Sequence, residues 1–295
     1  MMSQNYWQWP ETVYQATEID WKNATEIKAG IDMGTSSAQA AVFCDGKLFA
    51  YGNICVETDF KETARKVIEK TLQGTGMKVK DITSGIMATG WGAKSVEYAT
   101  DCIDEISAHA KGARFMYGKD VHTVVDLGGQ TIKAIRLYDW DRVRDFAIND
   151  KCTTGMGRNM EVVCDMLQIP LTDIGELSLK QEDCLEPVST TCHAFASAET
   201  YGLFGRPELK EKPLSEDQVY ASYMLAVAWR ILGVVGRLQP LDVGDVTAEK
   251  ELAFTGGLAK NIGITKRLEK ELKITAVTSE IDPQVAGAIG AALLV

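Results

Sequence analysis

The sequence predicts an α/β protein built as two related halves that face each other across a cleft. Three observations carry this. A short apolar strand runs into an Asp-x-Gly turn twice, at Asp32-Met33-Gly34 and at Asp126-Leu127-Gly128, with an offset of 94 residues and matching apolar residues on both sides. A third strand ends in the similar turn Phe254-Thr255-Gly256-Gly257. Segments of helical periodicity stand between the strands, among them Thr58 to Leu72.

In chain order, residues 1–27 hold Trp7, Trp9, Pro10, Tyr14 and Trp21 with little periodicity. They read either as a partly ordered extension or as an arm that lays aromatic anchors on a partner subunit. A strand from Lys28 runs into the small and hydroxyl residues Gly34, Thr35, Ser36 and Ser37. A second strand at Ala40 to Phe43 follows, then an Asp45-Gly46 hairpin signal and a third strand, Lys47 to Val56. After the amphipathic helix, Ile86 to Gly92 is a strand ending in a glycine turn. The pattern returns at Val124 to Thr131, with Ile132 to Leu137 as the next strand. Asn149 and Asp150 are candidate caps of a helix carrying Met160, Val163, Met166 and Leu167. A second, Ala-rich helix follows Thr190-Thr191-Cys192-His193-Ala194-Phe195. Ser215 to Gln218 is a capping box that opens a long apolar helix, Val219 to Leu238, stopped by Pro240. A strand at Glu251 to Phe254, a helix at Leu258 to Leu272, a strand at Lys273 to Val277 and an Ala/Gly-rich helix at Val285 to Leu294 complete the chain. The expected division is an extension at 1–27, a first domain at 28–120 completed by the last helix at 283–295, and a second domain at 121–282.

Composition fits a water-soluble domain pair. Hydrophobic residues make up 45% and charged residues 24% of 295 residues. The net charge of −10, with no Lys/Arg run, argues against nucleic acid. No apolar run reaches about 18 residues, which argues against a membrane span. Seven scattered cysteines suggest a cytoplasmic protein with reduced thiols.

Two kinds of chemistry-bearing pattern emerge. Glycines after a strand-ending aspartate let backbone N–H groups reach phosphate oxygens, and Thr35 and Ser36 add donors. Paired Asp32 and Asp126 can hold a hydrated Mg²⁺, and one of them can orient an attacking water. The second pattern is a cysteine at each of two expected helix starts, Cys152 and Cys192, where a helix N-terminus favours a thiolate or an anionic cluster. Two ligands per chain make half of a four-thiolate site, so a second copy would complete it; zinc is the rival metal. Cys44, Cys55, Cys102, Cys164 and Cys184 read as hydrophobe-like buried cysteines. His193 stands where it can hydrogen-bond a cluster or sit at a subunit seam. His109 and His122 belong to no pattern.

Asp32-Met33-Gly34-Thr35, Asp126-Leu127-Gly128-Gly129-Gln130 and Phe254-Thr255-Gly256-Gly257 resemble the two phosphate loops and the adenosine loop of the actin, hexokinase and Hsp70 superfamily. Asn149-Asp150-Lys151-Cys152 and Thr191-Cys192-His193-Ala194-Phe195-Ala196 resemble the ATPases that activate 2-hydroxyacyl-CoA dehydratases and the ATPase subunits of benzoyl-CoA reductase. The resemblance covers nearly everything from Lys28 to Val295. It implies two duplicated actin-like (ribonuclease H-like) domains with a nucleotide cleft between them. It also implies ATP/ADP and Mg²⁺ at Asp32, Gly34, Thr35, Ser36, Asp126, Gly128, Gly129, Gln130, Gly256 and Gly257, with Asp32, Asp126 and Gln130 catalytic.

A [4Fe-4S] cluster shared between two protomers, each donating Cys152 and Cys192, is implied in the same way. The second protomer would be identical or a homologous ATPase subunit. A ferredoxin-like donor would supply electrons, and ATP hydrolysis would drive them to a partner that reduces an acyl-CoA. The extension at 1–27 favours the smaller ATPase subunit of a benzoyl-CoA reductase over a homodimeric dehydratase activator. Lys94, after Thr89-Gly90-Trp91-Gly92, departs from the arginine expected there. The alternatives are a sugar or acyl kinase of the same fold, which would leave both cysteines without a role, and a non-catalytic actin-like scaffold, which would use nucleotide only as a conformational clamp.

Overall fold

The computed structural model describes residues 5–138, 142–181, 186–205, 214–238 and 252–295. The first half is an antiparallel meander of β2 (Ile27–Met33), β3 (Ser37–Cys44) and β4 (Lys47–Cys55). Asp45 and Gly46, at φ 47° and 76°, form the turn between β3 and β4, the backbone handedness that tight hairpins require. β5 (Gly85–Thr89) adds parallel to β2, with the two-residue β6 (Asp101–Cys102) beyond it. β1 (Thr12–Gln15) pairs antiparallel with β4, giving the order β1-β4-β3-β2-β5-β6. α1 (Phe60–Leu72) covers one face; the Asp59 carboxylate caps it by accepting from the N–H groups of Lys61 and Glu62.

The second half repeats the plan. β7 (Thr123–Leu127), β8 (Ile132–Leu137) and β9 (Val143–Ile148) form an antiparallel meander, and β10 (Leu252–Thr255) joins parallel to β7. The sheet order is β10-β7-β8-β9. β2 and β7 therefore each carry a hairpin partner on one side and a parallel strand on the other. The repeat extends to register: Asp32 faces Gln39 and Thr89, and Asp126 faces Lys133 and Thr255. Around the second sheet lie α3 (Met156–Met166), α4 (Ile174–Leu179), α5 (His193–Gly205), α6 (Glu216–Val235) and α7 (Ile262–Leu272). The expected capping box opens α6: Ser215 Oγ accepts from Gln218 N, and Gln218 Oε1 accepts from Ser215 N. By length and composition α6 could cross a bilayer, yet most of it is buried against the rest of the protein, as in a core helix.

α2 (Glu105–Tyr117) and α8 (Ala286–Leu293) pack backbone to backbone. A Cβ on Gly112 would meet Ala286 O at 1.9 Å, and one on Gly290 would meet Ala108 O at 1.7 Å. That approach explains the small residues of the last helix. α2 has no counterpart among the sequence-based expectations, although Asp104 caps it by accepting from Ser107 N.

Two expectations are corrected. Asn149 and Asp150 do not cap α3. Asn149 extends the β8–β9 ladder, its Oδ1 accepting from Ile132 N, and α3 starts only after Gly155, which takes φ 88°. Residues 273–277 form no strand, although Val277 N still donates to Leu252 O at 2.8 Å. The aromatic extension packs in part on its own chain. Trp7 and Trp9 lie against the core of the second half, Trp21 Nε1 donates to Thr75 O, and β1 joins the first sheet. Cys184 and Pro240 lie outside the described residues.

Candidate functional site

The two Asp-x-Gly turns meet. A cavity of about 90 Å³ lies between the halves, lined by Asp32, Gly34, Thr35, Ser36, Asp126, Gly128, Gly129, Gln130, Gly256 and Gly257. Every residue expected to hold nucleotide therefore borders one space. The loops abut directly, since a Cβ on Gly129 would come within 2.5 Å of Ser36 Oγ. Gly90 and Gly256 occupy equivalent places after β5 and β10. Both take positive φ, 87° and 83°, and a Cβ on either would press on an aspartate oxygen, at 2.4 Å from Asp32 Oδ1 and 2.6 Å from Asp126 Oδ1. Lys94 is exposed and does not border the cavity; Trp91, which does, tilts against Phe60 with ring centroids 5.5 Å apart.

Five cavity residues stood outside the sequence motifs: Gln39, Gln284 and the ionisable His109, Lys133 and Glu105. His109, on α2, bridges the two aspartates. Its Nε2 stands 3.6 Å from Asp32 Oδ2, its Nδ1 3.6 Å from Asp126 Oδ1, and Nδ1 shares a hydrogen bond with Thr255 Oγ1 at 3.1 Å. Lys133 Nζ donates to Asp126 Oδ2 at 2.8 Å and pairs with Glu105 Oε2 at 2.6 Å. Burial opposes ionisation of Asp126, but His109 and Lys133 outweigh it and hold the carboxyl below its usual range. Burial likewise opposes protonation of His109, while Asp126 and Asp32 outweigh it and leave the pKa above the ordinary imidazole value. Asp126 is thus a fixed anion and a poor proton acceptor. Asp32 sits at the opposite wall beside the first turn of α8, where a Cβ on Gly287 would fall 2.1 Å from Asp32 Oδ2. Lys133 follows Asp126 by the same hairpin spacing as Gln39 follows Asp32, a register signal that could have exposed it. His109 offered none, because only the packing of α2 on α8 brings it in.

The cysteine segments adjoin the second phosphate loop. Gly155 N donates to Gln130 O at 2.6 Å, and Arg158 N donates to Gly129 O at 3.0 Å. Gly157 lies so close that a Cβ there would meet Gly128 O at 2.8 Å. Cys152 is exposed in a turn before α3, tied by Asp150 Oδ1, which accepts from Cys152 N at 3.1 Å and Thr153 N at 3.2 Å. It therefore does not sit on a helix N-terminus, against expectation, because the left-handed Gly155 intervenes. Cys192 does stand at a helix start: α5 opens one residue later, with Cys192 O accepting from Ala196 N at 3.0 Å. The two segments converge, as a Cβ on Gly155 would lie 3.9 Å from His193 Cε1. Cys44 and Cys164 are buried as expected, whereas Cys55 is half-buried and Cys102 exposed.

Comparison with known proteins accords with this geometry. The profile described as the BadF/BadG/BcrA/BcrD ATPase family matches residues 29–295. The activator of lactoyl-CoA dehydratase from Anaerotignum propionicum is 34% identical over 264 residues, spanning 90% of this chain and 95% of that one. A subunit of the benzoyl-CoA reductase from Thauera aromatica is 28% identical over 276 residues, spanning 90% and 92%. Component A of the Acidaminococcus fermentans (R)-2-hydroxyglutaryl-CoA dehydratase superposes with a TM-score of 0.78 at 31% identity, over 92% of this chain and 97% of that one. The activator of the 2-hydroxyisocaproyl-CoA dehydratase from Clostridium difficile, solved with bound ADPNP, gives 0.77 at 27% identity over 91% and 93%. The fold is actin-like, and the lactoyl-CoA dehydratase activator is more similar in sequence to this chain than the reductase component is. With its phosphate turns, cleft and cysteine segments in one frame, the chain is a member of the BadF/BadG/BcrA/BcrD ATPase family.

Proposed function

We propose that the chain is an ATP-hydrolysing electron-transfer activator of the 2-hydroxyacyl-CoA dehydratase type, acting as a homodimer in the cytoplasm. The carrying observation is the direct hydrogen bonding of the second phosphate loop to the Cys152–α3 segment, through Gly155 N to Gln130 O and Arg158 N to Gly129 O. Whatever moves Gln130 moves the residues just after Cys152.

In this reading the glycine N–H groups of both loops hold the phosphates, and Asp32 and Asp126 would hold Mg²⁺, which supplies charge neutralisation on the phosphate oxygens. Gln130 orients the attacking water. His109 and Lys133 keep the Asp126 carboxylate ionised and in place. The cysteines suit an iron–sulfur group: neither is oxidised to a disulfide, Cys152 is exposed and Cys192 half-buried. His193 Nδ1 beside them is buried without a hydrogen-bond partner among the described residues. No group of three metal-binding side chains forms among the described residues, so four thiolates would require two chains. A [4Fe-4S] cluster there would supply one-electron transfer between a ferredoxin-like donor and the acyl-CoA enzyme. The benzoyl-CoA reductase reading keeps the same roles but makes the second protomer a homologous subunit. Support for the dehydratase type comes from the higher identity of the lactoyl-CoA dehydratase activator.

Anaerobic purification, iron analysis and determination of native mass test this reading. About four irons per homodimer are expected, with ATP-dependent electron delivery to a 2-hydroxyacyl-CoA dehydratase. A colourless, iron-free protein overturns it, as does label from ATP appearing in a phosphorylated sugar.

A further inference from the structure

The loop that carries Cys192 rests on a buried cation. Arg230 of α6 is only 4% exposed. Its Nε donates to Thr190 O at 3.2 Å, and its Nη2 donates to Ser189 O and, at 3.4 Å, to Cys192 O. Among the described residues its buried Nη1 has no hydrogen-bond partner. Among the described residues no carboxylate forms an ion pair with it. Glu199, whose charge reaches Arg230, has Oε2 occupied by the Ser189 N–H at 2.6 Å.

Arginine is almost never fully buried unless paired, because a cation removed from water needs an anion in return. Here the chain places one in its most apolar long helix, where its hydrogen bonds among the described residues go only to neutral carbonyls. On the residue next to Cys192, His193 Nδ1 is a second buried nitrogen without a hydrogen-bond partner among the described residues. Among the described residues, two buried nitrogens without hydrogen-bond partners thus belong to the residue next to Cys192 and to the arginine that binds its carbonyl.

We propose that Arg230 is a positioning residue for the iron–sulfur cluster: it fastens the 189–192 loop by its carbonyls and supplies a permanent positive charge behind Cys192. This rests on the iron–sulfur reading above. A thiolate-bound cluster is an anion, and one added electron makes it more so. A fixed cation nearby therefore favours the reduced state, and its removal makes reduction harder. Reduction here is uptake of one electron from the reductant, with no bond made or broken in the protein.

The test compares wild type, R230K and R230M, each purified anaerobically. Circular dichroism, iron and acid-labile sulfide per dimer, and a redox titration followed by electron paramagnetic resonance are the readouts. At the wild-type midpoint potential, the reduced-to-oxidised ratio in R230M should fall at least about tenfold, roughly 59 mV for one electron. R230K, which keeps the charge but loses the forked geometry, should stay within about twofold, under roughly 20 mV. Equal ratios in wild type and R230M overturn the proposal, and so do equal falls in R230K and R230M, which would assign the effect to loop geometry. Should R230M fail to fold, R230Q takes its place against R230K with the same two criteria. If R230M folds but carries no iron, an iron-loaded R230K supports the role of charge and an iron-free R230K overturns it. Iron missing from the wild type would defeat the iron–sulfur reading itself, and the proposal with it.

Discussion

Replacing Lys133 by methionine should destabilise the protein more than any surface change. The stem of Lys133 is buried, and its ammonium holds Asp126 Oδ2 at 2.8 Å and Glu105 Oε2 at 2.6 Å. At an effective dielectric constant of about 20, the Asp126 contact alone amounts to about 6 kcal/mol before desolvation of the ammonium is subtracted. Glu105 is partly exposed and contributes less. Removing one partner of a buried pair generally costs about 3–5 kcal/mol, because the other charge stays buried. For a chain of 295 residues, at about 2.1 cal/mol/K of unfolding entropy per residue, that corresponds to a fall in Tm of roughly 5–8 °C.

The sign of the pH effect follows from Asp126, whose carboxyl is held below its ordinary value. Its contribution is present above the unfolded value of about 4 and is lost as pH falls through the lower folded value. K133M should flatten that acid loss and move the acid limb of ATP hydrolysis to higher pH. Thermal melts of K133M, D126N and the double variant form the assay. The double variant should be less destabilised than the sum of the two singles by at least about 1.5 kcal/mol; additivity within about 0.5 kcal/mol would refute the coupling.

Three further outcomes are expected. His109 has a raised pKa, so its pairing with Asp126 and Asp32 stabilises the protein fully below about pH 6.5 and is lost as pH rises through the folded value. The melting temperature of nucleotide-free wild type should decline over that rise, and H109Q should show no such decline; parallel profiles would contradict this. Gly287→Ala places a methyl against Asp32 Oδ2, 2.1 Å away before relaxation, so ATP turnover should drop by at least about tenfold while iron content holds. Wild-type kinetics in G287A would show that Asp32 need not stay where it is. Cys152→Ser should lose iron and the brown colour but still bind nucleotide, whereas Cys164→Ser, at a fully buried site, should keep its iron. Full iron content in C152S would remove Cys152 from the ligand set.

The Asp-x-Gly turns, the hairpin at Asp45-Gly46 and the α6 capping box were legible in the sequence because each is a local device, completed within a few residues. The repeat was legible because duplication leaves the same apolar, aspartate and glycine order at a fixed offset. Two cysteines could be singled out because their flanking residues form recognisable segments. The start of α3 was misread for a local reason of another kind. Capping residues at 149 and 150 suggested a helix, but the left-handed Gly155 set its beginning, and Asn149 served the β8–β9 ladder instead.

Tertiary structure alone decided the rest. His109, Lys133 and Glu105 enter the cavity because α2 packs on α8 and because a hairpin register sets Lys133 beside Asp126. Trp9 packs against the chain's own second half, a placement that no local pattern around it encodes. Arg230 lies 38 residues after Cys192, and nothing in that spacing pairs them. Periodicity records which face of an element is apolar. It does not record which distant element will cover that face, so charges brought together by packing stay invisible until the fold is known.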